Sequence, residues 1–271
     1  MRGPPAALTP ARARHSVTRM VHRMTSRIEP APAVLDAARK WLAPARGALG
    51  SDFLACYLTG SVLRLGFDPK KSRVNLLIVT RTLGLDVLDR LAPVIPAEGR
   101  QPPNFEPLFM SESQVRHSLD TFPIEWIEIH EAHLLLEGSD VLAPLSIPRD
   151  NLRLQCEHEL RVKAMRLRHL YLANSRVPVR LELELKSASS GFAALFRALI
   201  RLRGEEPPAE TPRVVERVAD LYQLEAGALL GAHMARHVEH HRSPKDTLAL
   251  FRRFLGEVDR LVAAIDTLRV P

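Results

Sequence analysis

Leu58-Thr59-Gly60-Ser61 ends one apolar run, and Ser72-Arg73-Val74-Asn75-Leu76-Leu77-Ile78-Val79 opens another. The first run, Phe53-Leu54-Ala55-Cys56-Tyr57-Leu58, has strand length and stops at a Thr-Gly-Ser turn. The second is continuous through Leu76, Leu77, Ile78 and Val79 and β-branched at its ends, which predicts a strand covered on both faces of a sheet. Glycine lets backbone N–H groups come close to a ligand oxygen, and a serine hydroxyl adds a donor. Residues 73 and 75 lie two apart on a strand, so their side chains project to one face.

Outward from this pair the chain continues in both directions. Upstream, a helix is predicted from about Ala33 to Ala43, ending near Pro44. Downstream, Leu85, Leu88, Leu91 and Ala92 predict a short helix stopped by Pro93, and 106–110 a third strand. Ser111 followed by Gln114 has the form of a capping box opening a helix through about Leu119. Residues 122–129 alternate in places, Ile127 and Ile129 against Glu128 and His130, which predicts a fourth strand. After Pro148 the pattern is helical: 151–173 with Leu160, Ala164, Leu167 and Tyr171 on one stripe, then 191–202 and 211–224. A last helix has Ser243 as N-cap, Pro244 in its first turn and Phe251, Phe254, Leu255, Val258, Leu261, Val262 and Ile265 on its apolar face. The expected class is α/β (α+β): a small mixed-sheet domain over 29–148, then a helical-bundle domain over 149–271, with a cleft between them.

Composition narrows the function classes. No apolar run approaches the roughly 18 residues of a membrane span, so no membrane partner is expected. The two cysteines, Cys56 and Cys156, lack disulfide or zinc spacing, and a reducing cytoplasm is the expected setting. A net charge of +7 and a pI near 9.9 invite a nucleic-acid reading. Arg2, Arg12, Arg14, Arg19, Arg23 and Arg27, with no acidic residue over 1–28, account for nearly all of that charge. The expected folded part is close to neutral, so nucleic-acid binding is not expected apart from this tail. The tail itself resembles a transit peptide, a disordered extension, or sequence upstream of a start at Met20 or Met24.

The two opening segments, with roughly ten residues between Ser61 and Arg73, resemble the signature of the nucleotidyltransferase superfamily (DNA polymerase beta-like), which includes the aminoglycoside nucleotidyltransferases. In that family Gly-Ser lies against the nucleotide phosphates, and an Asp-x-Asp on the next strand holds magnesium ions that bridge them. Phe122-Pro123-Ile124-Glu125-Trp126-Ile127-Glu128-Ile129, Leu136-Glu137-Gly138-Ser139-Asp140-Val141-Leu142 and Leu152-Arg153-Leu154-Gln155-Cys156-Glu157-His158-Glu159-Leu160-Arg161 are similar to segments of uncharacterised bacterial nucleotidyltransferase-domain proteins. The resemblance spans roughly residues 50 to 265.

The resemblance implies a nucleotide or other phosphate ligand at Gly60 and Ser61. It also implies a defect, because Arg73 and Asn75 stand at the Asp-x-Asp positions and neither brings negative charge. A catalytically impaired pseudoenzyme is expected, with no cofactor, or magnesium if activity remains. A guanidinium at position 73 can pair with phosphate directly and supply part of the metal's charge. The family's third carboxylate, on a later strand, falls to Glu125 or, second, Glu128. Glu159 is the candidate general base, and Lys163 the candidate triphosphate-binding cation. Their competing reading is a solvated helix face with Glu157–Arg161 and Glu159–Lys163 pairs at i,i+4. Two rival readings are an active metal-dependent transferase acting on a small-molecule or protein acceptor through Glu125, Glu128 and Asn75, and a non-enzymatic nucleic-acid-binding or toxin–antitoxin type module with a protein partner.

His233, His237, His240 and His241 form a cluster whose i,i+4 members share a helix face and have zinc-chelating spacing. Arg236 and Arg242 disfavour a cation there, and a polar helix end is the simpler expectation.

Overall fold

A computed structural model of the chain describes residues 28–64, 67, 72–96, 103–189, 191–235 and 242–268. The basic tail over 1–27, and Arg236, His237, His240 and His241, lie outside the described residues.

Helix α1 (Pro32–Leu49) leads into β1 (Phe53–Thr59), a short 3-10 turn (Gly60–Leu63) and β2 (Arg73–Thr80). Helix α2 (Leu85–Leu91), β3 (Asn104–Ser111), α3 (Glu112–His117), α4 (Pro123–Glu131) and β4 (His133–Gly138) complete the first half. The sheet has the order β3-β2-β1-β4, with β2 and β3 parallel and the other pairs antiparallel. The rest is helical: α5 (Arg149–Asn174), α6 (Pro178–Ser189), α7 (Phe192–Leu202), α8 (Thr211–Tyr222), α9 (Ala226–Met234) and α10 (Pro244–Asp266). The mixed α/β class with a helical C-terminal part is as expected. Among the described residues no helix is long and apolar enough to cross a membrane.

Period-two alternation divides the sheet's side chains between two cores. Cys56, Leu58, Val74, Leu76 and Ile78 pack beneath Val34, Ala38, Leu42, Ala45 and Leu49 of α1. Ala55, Tyr57, Leu77 and Val79 face the other way, against Val115, Trp126 and Leu142. A third core joins α4 to the helices behind it and includes Ile124, Leu160, Leu199 and Phe254.

The predicted fourth strand over 122–129 is instead α4, and the fourth strand lies just beyond it at His133–Gly138. Pro123 occupies the first helical turn, where its missing N–H costs nothing. The misleading alternation arises because α4 is apolar on two sides. Ile124 and Ile127 join the helical core, whereas Trp126 and Ile129 join the sheet core. Helix α1 likewise runs past its expected stop. Pro44 lies inside it on an exposed position, and the next turn buries Ala45 and Leu49. Helices α6 and α9 had no counterpart in the expectation.

The terminal signals read from sequence do appear. The Ser111 hydroxyl accepts from the Gln114 N–H at 3.1 Å while the Gln114 side chain accepts from the Ser111 N–H at 2.8 Å. Ser243 caps α10 by accepting from the Asp246 N–H at 3.1 Å.

Candidate functional site

The sheet face that buries Leu77 and Val79 continues toward the start of β2, but its helical cover ends there. Arg73 and Asn75 therefore share that face and are exposed. Thr59, the last residue of β1, pairs with Asn75, so the turn at Gly60 and Ser61 begins beside it. Gly60 has φ +79°, and a Cβ there would lie 3.1 Å from the Asn75 side-chain nitrogen. Glycine suits this position for its left-handed backbone, and the Asn75 amide lies in the space that a Cβ would approach. Ser61 is exposed, and neither its hydroxyl nor the Asn75 amide finds a side-chain hydrogen-bond partner among the described residues.

The parallel register sets Asn75 beside Glu106 and Arg73 beside Asn104. From this neighbouring strand Glu106 reaches across: the Arg73 guanidinium donates to its carboxylate at 2.9 Å. Both side chains remain more than half open to solvent or close to it, at 62% and 50%. The carboxylate beside position 75 on the neighbouring strand is Glu106, a residue that sequence reasoning left unassigned. Its position as the first acidic residue of a predicted strand was the available signal.

Hard divalent cations need several oxygen donors with net negative charge. Here the donors are one carboxylate already paired to a guanidinium and one neutral amide. Among the described residues no group of three or more His, Cys, Asp or Glu side chains is placed to hold a metal. The residues at 73, 75 and 106 do not fit a magnesium pair.

Glu125 and Glu128 lie on α4 rather than on a strand. Glu125 is exposed and accepts from the Gln155 side chain at 2.8 Å. Glu128 is enclosed by three guanidinium groups. Arg64 donates to it at 2.7 Å, Arg197 at 3.0 and 3.1 Å, and Arg201 at 2.9 Å. Arg201 also pairs with Glu131. Burial alone would push the Glu128 carboxyl up, but the facing charges of Arg197, Arg64 and Arg201 outweigh it and hold the group below its ordinary value. Burial pulls the Arg64 guanidinium down from its usual range, against the attraction of Glu128. Arg64 also closes the candidate turn, its backbone N–H donating to the Ser61 carbonyl at 3.0 Å. These three arginines were not singled out in the sequence, because Arg64 and α7 lie far apart along the chain.

Glu159 and Lys163 pair with each other on α5 at 3.4 Å, the i,i+4 arrangement of a helix surface. The Lys163 ammonium also lies over the Phe192 ring, 5.6 Å from its centre. The contacts of both residues are thus with the helical part, not with the Gly60–Ser61 turn. Both cysteines are buried, and burial pushes the Cys56 thiol up to about 12 and the Cys156 thiol higher still, so neither is suited to act as a nucleophile.

No family model matches the chain, and no curated protein matches it. Among solved structures it is similar to spectinomycin adenyltransferase AAD(9) from Enterococcus faecialis, determined with ATP and spectinomycin. The two are 13% identical with a TM-score of 0.50, over 83% of this chain and 98% of that one. The chain has a nucleotidyltransferase fold. At this identity the likeness concerns the fold alone.

Proposed function

We propose that this nucleotidyltransferase-fold chain binds a nucleotide or another phosphate ligand at Gly60, Ser61, Arg73 and Asn75, and transfers it poorly or not at all. The observation that carries this reading is the Arg73–Glu106 ion pair, since the sequence resemblance aligns Arg73 with one of the superfamily's magnesium-binding carboxylates. An exposed guanidinium near a glycine turn, with a serine hydroxyl that has no side-chain partner among the described residues, offers a phosphate charge-assisted and neutral donors in exchange for Glu106. The solved adenyltransferase of this fold holds ATP, which supports a nucleotide as the ligand class.

The same geometry weighs against an active centre built from Glu125, Glu128 and Asn75. Each Glu128 oxygen already accepts from guanidinium groups, and Glu125 is held by Gln155. Lys163 remains the proposed second cation for a long phosphate chain.

Calorimetry with ATP and GTP, with and without magnesium, tests the proposal. Magnesium-independent binding that Arg73→Ala weakens is the expected result. Magnesium-dependent transfer of label from ATP to any acceptor would overturn the claim of impaired catalysis.

A further inference from the structure

Helix α5 is apolar on two opposite faces. One carries Leu152, Cys156, Leu160, Ala164 and Leu167, all buried in the helical core. The other carries Leu154, His158, Val162, Met165, His169 and Leu172, each three or four residues from the next, which at 3.6 residues per turn forms one line along the helix. Leu154 is 55% exposed, Val162 41%, Met165 58% and Leu172 79%. Both histidines are exposed as well. A helix on the surface of a bundle needs one apolar stripe, so this second stripe does nothing for the fold. A line of four exposed apolar side chains, interleaved with two histidines, is a candidate interaction surface.

The order of side chains along the line is the same read from either end: leucine, histidine, aliphatic, aliphatic, histidine, leucine. An antiparallel copy, related by a two-fold axis between Val162 and Met165, sets Leu154 against Leu172, His158 against His169 and Val162 against Met165. Such a patch complements itself, as an isologous interface requires. We infer that a second copy of this chain docks antiparallel on this face of α5.

Charge opposes the approach only in part. Of the arginines beside the line, Arg161 is paired with Glu157 and Asp266, and Arg168 with Asp259, whereas Arg166 is exposed, has no ion pair among the described residues and would face Arg161 of the second copy. The internal pairs remove part of the repulsion that two basic helices would otherwise meet. Area sets the strength. From Leu154 to Leu172 the line rises about 27 Å, and at a width of about 10 Å it offers roughly 270 Å² per copy. A standard interface uses about 800 Å² per partner. The dimer is therefore reversible and concentration-dependent rather than obligate.

Sedimentation velocity of the full chain, from a few micromolar to several hundred, tests this. The expected result is a reversible shift from monomer to dimer mass. Val162→Glu combined with Met165→Glu should remain monomeric with an unchanged circular dichroism spectrum. Register has its own readout. Leu154→Cys chains mixed with Leu172→Cys chains should give linked dimers with a short thiol cross-linker, and neither alone should, the native cysteines being buried. A wild-type monomer at all concentrations would overturn the inference. So would a dimer that survives the double glutamate substitution, or cross-linking of Leu154→Cys to itself.

Discussion

The Arg64 guanidinium reaches Glu128 at 2.7 Å, while the Arg64 backbone N–H closes the turn that begins at Gly60. One residue thus fastens the candidate phosphate turn to α4, and Glu128 passes the connection on to Arg197 and Arg201 of α7. The relation between sheet and helical part rests on a buried network of charges, which has measurable consequences.

Removing the carboxylate strands three largely buried guanidinium groups. Glu128→Gln is expected to lower stability by about 3 to 5 kcal/mol, the range for breaking one side of a buried ion pair. Urea unfolding followed by circular dichroism measures this. A loss below about 1 kcal/mol would mean that water or Glu131 compensates for the missing charge.

The same network predicts an acid limb. Glu128 is held below its ordinary value of 4.5 in the folded chain. The unfolded state therefore takes up a proton first as pH falls. The stabilisation is fully present above about pH 4.5 and is lost as pH drops through the lowered folded value. Urea midpoints between pH 7 and pH 3 should show a steeper decline for the wild type than for Glu128→Gln. Parallel curves would count against this assignment.

On the proposed reading, Arg73 and Asn75 are what separate this site from a metal centre. Arg73→Asp combined with Asn75→Asp sets three carboxylates, with Glu106, on one face of adjacent strands. This variant is expected to bind manganese or magnesium at least about tenfold more tightly than the wild type, about 1.4 kcal/mol or more. Calorimetry with each metal decides the matter, with circular dichroism to check folding. A folded variant that binds no better shows that the strands hold these side chains too far apart.

Two glycines should differ in their tolerance of a methyl group. At Gly60 the added carbon meets the end of the Asn75 side chain, which can move, so Gly60→Ala is expected to cost about 1 to 2 kcal/mol for its left-handed backbone. At Gly138, φ is +95° and the carbon would lie 2.1 Å from the Leu54 carbonyl oxygen, which belongs to the central strand. Gly138→Ala should cost clearly more, read as the difference between thermal midpoints. Equal midpoints would show that β4 shifts freely.

What the sequence made legible followed from local physics. The turn at Gly60, the strand from Arg73, the capping box at Ser111 and the cap at Ser243 are each set by a few neighbouring residues. The misreadings came where packing overrode the local pattern. The alternation at 127–130 signalled a strand, but α4 lies between two cores and is apolar on both sides. Pro44 signalled a stop, but burial of Ala45 and Leu49 carries α1 through it. Glu106 stood on a predicted strand, but its place beside Asn75 depends on the parallel register of β2 and β3, which the sequence pattern does not set. The arginine cage around Glu128 is likewise a product of tertiary structure.

The pairing of β1 with β4 bears on how the chain folds as it emerges from the ribosome. β1 is central, yet one of its two neighbours lies beyond β2, β3 and three helices in the chain. Until β4 has been synthesised, one side of this interior strand stays open, and closing that gap requires a long loop to be ordered first. The Glu128 cage forms later still, since Arg197 and Arg201 follow β4. A nascent chain halted between these points would expose an unpaired strand edge, the kind of surface that chaperones shield.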